Sequence, residues 1–335
     1  MTHVDEREIT APVSLTLPDG RLNRDAVGWT RTPLITTDGI GQGRTGKWRN
    51  KRWEYWAVTT PTHIVALVAS DIDYAGVHGI YCHDRVNDFA IAHDVLDPFA
   101  RATTMPGTLG AGPVRVTTKN LTIEIDEVDG GTHLRARGPR VDVDVLAHLP
   151  DGHERLGVVV PWSDTRFQYT VKDVARPATG TLTVDGIAHA VTEGWATLDH
   201  GRGRWPYSMH WNWGAGSGRV GDRVIGIQVG GKWTDGTGST ENSLVVDGHL
   251  TKISEELTWT YDLKAPMDQW RVSGDGVDLS FTPFHLRKAD TQAVILSSHT
   301  YQVFGTWTGT VHNDAGETIP IDGLTGWAED VRQRW

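Results

Sequence analysis

Cysteine is almost absent from the sequence, and long apolar runs are missing altogether. Cys82 stands alone, so no disulfide can form within the chain, and nothing indicates an oxidising compartment. A single cysteine is usually a small buried hydrophobe, and the adjacent His83 would point to the opposite face of a strand. No run approaches the roughly 18 apolar residues that span a bilayer, and residues 1–7 lack the apolar core of a secretory signal. We therefore expect a cytoplasmic protein with no membrane span.

Basic residues are too few and too scattered for a nucleic-acid surface. The chain has 32 Lys and Arg against 42 Asp and Glu, a net charge of −10, and no basic run. Phenylalanine and tyrosine are also scarce, at 6 and 7 residues, whereas tryptophan reaches 15. Tryptophan offers a large flat surface with a polar N–H. Such surfaces suit a small-molecule ligand that is sugar, polyene or lipid-like, although tryptophans can also simply close the ends of a barrel.

Apolar stripes at helical spacing are missing too, and period-2 alternation takes their place. Residues 121–125, 141–145 and 224–229 alternate apolar and polar side chains, as half-buried antiparallel strands do. Two alternating runs flank Asp185-Gly186, and Asp247-Gly248 has the same setting, which is typical of two-residue type I′ hairpins. Short strands separated by glycine-rich turns predict an all-β fold, a sandwich or a barrel.

One stretch, residues 193–214, is far richer in chemistry than the scaffold around it. It holds two carboxylates, two histidines, two arginines and four tryptophans. Asp199 and His200 are the first candidates for acid–base catalysis, because a carboxylate and an imidazole can exchange protons near neutral pH. Neighbours in a strand point apart, however, unless Gly201 and Gly203 bend the chain. A structural pairing of Asp199 with an arginine is the alternative.

Several runs along nearly the whole chain resemble the bacterial family of uncharacterised proteins called DUF2804. These runs are Gly20-Arg21-Leu22-Asn23, Gly28-Trp29-Thr30-Arg31-Thr32-Pro33-Leu34, Lys51-Arg52-Trp53-Glu54-Tyr55-Trp56, Asp71-Ile72-Asp73-Tyr74-Ala75-Gly76, Leu198-Asp199-His200-Gly201-Arg202-Gly203, Trp205-Pro206-Tyr207, Glu241-Asn242 and Gly326-Trp327-Ala328-Glu329-Asp330. This resemblance brings no activity with it.

More distantly, the Asp-Gly hairpin followed by Asp-His and Trp-x-Trp is similar to carotenoid hydratase and AttH-like proteins. Their wider group has a fold like that of tocopherol cyclase and fungal pericyclases, and it includes lipid carriers. The resemblance implies two lipocalin-like (calycin-type) antiparallel β-barrels packed together, with a ligand site in or between them. We place an N-terminal arm and the first barrel in residues 1–175, and the second barrel in residues 176–335.

The strand geometry shifts the expected acid–base pair away from two sequence neighbours. We expect Asp199 or His200 to work with a group from the first half of the chain, near Glu54 or Asp73. Trp211 and Trp213 should share one face of a strand, with Asn212 on the other. The predicted ligand-binding residues are Arg202, Arg204, Trp205, Tyr207, His210, Trp211, Trp213, Trp56 and Tyr74.

Metal and cofactor motifs are lacking. No His-x-His or two-His-one-carboxylate spacing stands out near the centre, and no nucleophile elbow or phosphate loop is present. We therefore expect no metal and no cofactor, and a monomer or homodimer. The leading interpretation is an enzyme using acid–base chemistry for hydration, isomerisation, cyclisation or glycosidic cleavage. A non-catalytic lipocalin-like carrier of a hydrophobic ligand is the alternative, and its pocket would hold few convergent charges.

Overall fold

The computed structural model describes residues 3–42, 45–292 and 297–334. Met1 and Thr2, the start of the segment without a signal pattern, lie outside these ranges. Within them the chain is almost entirely β-strand, which confirms the all-β prediction, and the one helix is a 3-10 turn, Arg24–Ala26. No helix in the described part of the chain is long and apolar enough to cross a membrane.

A curled sheet of 13 strands, antiparallel throughout, forms the first barrel. Its strands follow the order β7, β6, β5, β4, β15, β14, β12, β11, β10, β9, β8, with β13 added to β14 and β2 added to β13. The bounds are β2 (Trp29–Thr30), β4 (Lys51–Thr59), β5 (His63–Asp71), β6 (Ala75–Asp84), β7 (Phe89–Pro98), β8 (Thr103–Thr104), β9 (Val114–Thr117), β10 (Thr122–Val128), β11 (Gly131–Arg137), β12 (Val141–His148), β13 (Leu156–Ser163), β14 (Arg166–Val184) and β15 (Ile187–Arg204). Two short strands of the N-terminal arm, β1 (Val13–Ser14) and β3 (Ile35–Thr36), pair separately in parallel.

A second antiparallel sheet of nine strands forms the other barrel. Its order is β19, β18, β17, β16, β24, β23, β22, β21, β20. The bounds are β16 (Ser208–Val220), β17 (Arg223–Gly231), β18 (Asn242–Val246), β19 (His249–Ile253), β20 (Thr258–Thr260), β21 (Trp270–Ser273), β22 (Val277–Gln292), β23 (Ser297–His312) and β24 (Thr318–Arg334). The predicted pair of lipocalin-like barrels is therefore confirmed.

The chain passes from one sheet to the other between Arg204 and Ser208. The residue 175/176 division drawn from the sequence falls inside β14, and β15 also belongs to the first sheet. Alternation alone could not locate this crossing, because β14 and β15 carry the same period-2 pattern as the strands of either barrel.

Buried apolar side chains form four clusters in the described part of the chain, one of which packs the N-terminal arm against β13 and β14. Trp56, Ile123 and Leu198 belong to the core of the first barrel, and Trp270 and Phe281 belong to that of the second. A third apolar group lies between the barrels and draws residues from both sheets, including Ala57, Tyr81, Trp213, Phe304 and Trp327. Since strand side chains alternate between faces, β4 places Trp56 and Val58 in the core of the first barrel and Ala57 in the layer between the barrels.

The long hairpin of β14 and β15 turns at Asp185-Gly186, as the sequence predicts. Asp185 has φ 50° and Gly186 has φ 81°, the left-handed pair of a type I′ turn. Asp247 and Gly248 repeat the geometry with φ 50° and 85°. Both hairpins are therefore set by local sequence.

Replacing Gly186 by valine should destabilise the protein by about 1–2 kcal/mol, the cost of a left-handed L-residue. A Cβ at Gly186 would meet nothing within 4 Å, so backbone conformation is the main cause of the loss. Gly186→Asn is the matched control, because asparagine tolerates this region better. Urea unfolding measures both variants, and equal stability of the two would contradict the explanation.

Candidate functional site

Four buried ionisable residues meet in the layer between the barrels, and we call them the inter-barrel cluster. Lys172 on β14 and Asp199 on β15 come from the first sheet. Glu241, just before β18, and Glu329 on β24 come from the second. Charged groups are rarely buried unless they are paired, so this gathering is a candidate site.

Lys172 joins the two sheets. Its Nζ lies 2.9 Å from Oδ1 of Asp199 and 3.2 Å from Oε2 of Glu241, and 4.4 Å from the centre of the Trp213 ring. Thr170 Oγ1 donates to Oδ1 of Asp199 at 3.2 Å, and Trp53 Nε1 donates to Oδ2 at 3.2 Å. Asp199 thus has a donor on each oxygen and keeps 14% of its side chain exposed.

Glu329 lies on β24 of the second sheet and has only neutral hydrogen-bond donors. Trp211 Nε1 donates to its Oε1 at 2.9 Å, and Gln302 Nε2 donates to its Oε2 at 3.2 Å. The ring of Tyr55 packs nearby, edge-on against Trp213 at 5.7 Å between centroids. No arginine or lysine forms an ion pair with Glu329 among the described residues.

Burial and nearby charges shift the pKa values of three of these groups, Glu329, Glu241 and Lys172. Burial raises the pKa of Glu329 to about 7, with a further rise from the charge of Asp199. Burial also raises the pKa of Glu241. Burial alone would lower the pKa of Lys172, but Asp199 and Glu241 more than reverse this and raise it. The cluster therefore holds a carboxyl group whose pKa is about 7 and an ammonium group whose pKa is raised.

Five indoles enclose the same region and form what we call the tryptophan box: Trp53, Trp162, Trp205, Trp211 and Trp233. Trp205 is central, with ring centroids 5.4 Å from Trp53, 5.3 Å from Trp162, 5.7 Å from Trp211 and 5.1 Å from Trp233, the last pair stacked. Trp53, Trp162 and Trp211 are half-buried, so parts of their rings reach solvent. The box offers flat apolar walls and cation-stabilising π faces beside the charges.

Asp199 and His200 point to opposite faces of β15, so they do not form a dyad. His200 lies inside the first barrel, with Nδ1 3.5 Å from Oε1 of Glu54, its partner across β4. Arg202 Nη2 is 3.3 Å from the same oxygen. Burial, with help from Arg202, lowers the pKa of His200 to about 4. Burial would raise the pKa of Glu54, but His200 and Arg202 together lower it.

The first barrel thus holds a buried group of three side chains in which Glu54 contacts both His200 and Arg202. Trp56 lies there too, with the Arg176 guanidinium 5.3 Å from its ring. Arg202 also donates to the backbone carbonyls of Trp53, Gly201 and Pro106. The structure therefore brings His200 and Glu54 together, which is one of the pairs expected from the sequence. Asp199 lies on the other face of β15 and is not part of this pair.

Asp73 and Tyr74 lie in the turn between β5 and β6. Asp73 accepts from the backbone N and Nδ2 of Asn50, each at 2.9 Å, and from Arg52 Nη1 at 3.3 Å. Lys51 Nζ lies 5.4 Å from the ring centre of Tyr74. Asp73 therefore ties a turn to the start of β4.

The remaining predicted residues divide between three places. Arg204 covers the ring of Phe167 at 4.6 Å and donates to the Gly20 carbonyl of the N-terminal arm. Tyr207 is 55% exposed. His210 lies in the second barrel, where its Nε2 is 2.7 Å from Oδ2 of Asp330.

Asp330 is the centre of that second group. Lys232 Nζ lies 2.8 Å from Oδ2 of Asp330, and Tyr261 Oη also donates to it. Burial would raise the pKa of Asp330, but these donors and His210 lower it strongly. Three polar groups thus converge on Oδ2 of this carboxylate, as in a structural network.

Of the predicted residues, the inter-barrel layer contains Asp199, Trp205, Trp211 and Trp213. Trp211 and Trp213 share its face, whereas Asn212 points into the second barrel and donates to Tyr261 Oη at 2.9 Å. Sequence reasoning did not select Lys172 or Gln302, and Glu241 and Glu329 entered it within the runs that resemble the family. Both glutamates stand in the runs shared with the family, which was the available signal.

Two surface hollows lie elsewhere and hold none of the cluster. One of about 250 Å³ is lined by His3, Lys252, Glu255 and Asn313, among others, and one of about 460 Å³ is lined by residues 118–122 and 137–139. Neither hollow is lined by tryptophan, tyrosine or phenylalanine, so the inter-barrel cluster is the candidate site.

Fold and site together define a protein of the double lipocalin-like β-barrel class. The chain matches the family described as DUF2804, a domain of unknown function, over residues 6–335, and it belongs to that family. No protein with a curated description matches the sequence.

Three solved structures are similar to this chain along most of their length. Kievitone hydratase from Nectria haematococca has a TM-score of 0.52 at 11% identity, covering 87% of this chain and 93% of its own. An AttH-type protein from Nitrosomonas europaea has a TM-score of 0.54 at 14% identity, covering 84% and 92%. CghA, in complex with Sch210972, has a TM-score of 0.51 at 10% identity, covering 86% and 89%. At such identities the likeness shows a shared fold.

Proposed function

We propose that this protein is a cytoplasmic enzyme that carries out proton-initiated chemistry, foremost hydration, on an apolar ring- or polyene-bearing ligand held between its barrels. The observation that carries the proposal is Glu329, a buried carboxyl group held by two neutral donors, whose pKa is raised by burial to about 7. A general acid works best when its pKa is near the working pH. One protein of the same fold is a hydratase, and hydration needs such an acid.

Glu329 would act as the acid. In its protonated form it would deliver a proton to an unsaturated carbon or a carbonyl oxygen of the ligand. Trp211 and Gln302 fix the orientation of the carboxyl group through their N–H donors. Both donors are neutral, so they stabilise the ionised form less than an arginine would, and the acid stays protonated near neutrality.

The carboxylate of Asp199 would stabilise the positive charge that develops on the ligand. Its carboxylate stands at the partly exposed edge of the layer, and Trp53 and Thr170 hold both of its oxygens. It could stabilise a cationic centre or orient the attacking water, and the indole faces would add cation–π stabilisation. Lys172 keeps Asp199 in place and balances Glu241.

The carrier alternative is less well supported. A carrier pocket would be mostly apolar, with few convergent charges. Here two sheets each contribute two ionisable groups to one buried layer. The same acid could also catalyse isomerisation, in which the protonated ligand loses a different proton instead of adding water. Glycosidic cleavage is less favoured, because indoles rather than hydroxyl-binding groups dominate the walls.

The test starts with a ligand screen by thermal shift against polyenes, prenylated phenols and glycosides. Mass spectrometry then detects the gain or loss of one water. Glu329→Gln should keep the ligand-induced shift but lose at least about 100-fold in turnover, the usual contribution of a general acid. Wild-type turnover should fall as the pH rises through about 7, because the protonated form of Glu329 disappears.

Glu317→Gln is the control, since Glu317 is an exposed glutamate paired with Arg223 on the surface. It should leave turnover and the pH profile unchanged. Binding without any turnover across the panel would favour the carrier, and an unaltered Glu329→Gln enzyme would remove Glu329 from the mechanism.

A further inference from the structure

A second group of potential ligand atoms lies at another point of contact between the barrels. His83 at the end of β6 and Asp88 in the following turn come from the first sheet. His285 comes from β22 of the second. His83 Nε2 lies 3.2 Å from Oδ1 of Asp88, and His285 Nδ1 lies 3.3 Å from the same oxygen. None of these residues belongs to the inter-barrel cluster.

We propose that His83, Asp88 and His285 form a binding site for a divalent transition-metal ion of the zinc class, which would link the two barrels. Two imidazoles and a carboxylate are a common donor set for such ions. One potential ligand atom from each residue lies within 4.8 Å of the others. Metal bonds of 2.0–2.2 Å in a tetrahedron separate neighbouring ligand atoms by about 3.3 Å. The two contacts to Asp88 already have that length.

The turn that carries Asp88 is built to present it. Asp84 Oδ1 accepts from the backbone N–H groups of Val86 and Asn87, at 2.8 and 2.9 Å. Asn87 Nδ2 donates to Asp84 Oδ2 at 2.7 Å. Asp88 itself has φ 51°, a left-handed conformation that side chains other than glycine adopt uncommonly. In this conformation the Asp88 carboxylate faces both histidines.

A β-bulge brings His285 to the same place. The pairing of β22 with β23 shifts register between Pro283 and His285, so Phe284 is the extra residue. Bulges redirect side chains and are common at functional positions. The His285 ring stacks on the His83 ring with 3.7 Å between centroids, and the Phe284 ring stacks on it at 6.2 Å. One imidazole must therefore turn out of this stack for the lone pairs of both histidines to reach one ion.

Tyr81 supplies the outer contact that a metal-binding histidine needs. Its Oη lies 2.9 Å from Nε2 of His285. With Nε2–H donating to Tyr81, the lone pair of His285 is on Nδ1, the nitrogen that faces Asp88. His83 is 1% exposed, and its Nδ1 has no hydrogen-bond partner among the described residues, so its Nε2 is the nitrogen presented to the site.

The spacing of these residues explains why no metal-binding motif is visible in the sequence. His83 and His285 are about 200 positions apart, and only the docking of the two barrels brings them together. The expectation of no metal was based on local spacing, which cannot report such a pair.

Titration of chelator-treated full-length protein with Co²⁺ and Zn²⁺ tests the site. We expect one saturable ion per chain by calorimetry, and Co²⁺ should develop visible d–d absorption of a low-symmetry site with nitrogen and oxygen ligands. His285→Gln and Asp88→Asn should each weaken binding by about 100-fold, and Tyr81→Phe by about tenfold. Asp88 is 77% exposed and His285 17%, so these variants are expected to fold, and circular dichroism checks this.

His299→Gln is the matched control. His299 pairs with Asp290 at 2.8 Å on the surface, but this pair has only one histidine. It should bind both ions as the wild type does. The proposal is overturned if the wild-type protein shows no saturable Co²⁺ binding, or if His285→Gln and His299→Gln bind equally well.

Discussion

Replacing Lys172 by methionine should lower the free energy of unfolding at neutral pH by about 3–5 kcal/mol, which is the usual effect of removing one partner from a buried ion pair. Methionine fills much of the same volume, so packing is largely kept. The loss arises because Asp199 and Glu241 would face each other without the ammonium that now lies within 3.2 Å of both. Urea unfolding followed by tryptophan fluorescence measures it.

Two further variants separate charge from packing. Lys172→Met/Glu241→Gln should recover part of the loss, because only one carboxylate then remains. Lys288→Met is the surface control: Lys288 is 48% exposed and 3.7 Å from Asp290, so its loss should cost less than about 1 kcal/mol. A Lys172→Met protein as stable as Lys288→Met would contradict the role of Lys172.

Glu329→Gln should change the pH dependence of stability by about 3 kcal/mol. Burial raises the pKa of Glu329 from its ordinary value of 4.5 to about 7 in the folded protein, and a tenfold change in proton affinity corresponds to about 1.4 kcal/mol. Between these two pH values the folded state binds more protons than the unfolded state. The wild-type protein therefore loses stability, relative to the glutamine variant, as the pH rises from 4.5 through 7.

The measurement compares urea unfolding of wild-type and Glu329→Gln protein at about pH 4.5 and about pH 8. Any cost of the amide that does not depend on pH cancels in the difference. The wild type should be relatively more stable at the lower pH, and Glu317→Gln should show no such crossover. A stability difference that stays constant across this range would mean that Glu329 is not a buried acid.

Local chemistry predicted much of the fold. The two Asp-Gly hairpins form because both turn residues must take positive φ, and period-2 alternation reports which face of a strand is apolar. The same alternation placed Trp211 and Trp213 on one face and separated Asp199 from His200. Each of these features depends on residues that are close in sequence.

The partners of Asp199 could not be predicted in this way. Lys172 and Glu241 reach it through strand pairing and through the docking of one sheet on the other. In β14 the register also shifts between Asp173 and Arg176, where Ala175 has φ 61°, and no period-2 pattern reports such an irregularity. The inter-barrel cluster is therefore an outcome of tertiary docking.

Because Asp199 and Glu329 belong to different sheets, the site exists only while the barrels remain docked. A rigid-body separation of a few ångströms would leave every strand hydrogen bond intact and still divide the acid from its partner. We therefore expect that, during mild denaturation, ligand binding and turnover disappear before the far-ultraviolet β-sheet signal. We expect the interface between the barrels, more than either barrel, to set the temperature at which the proposed function is lost.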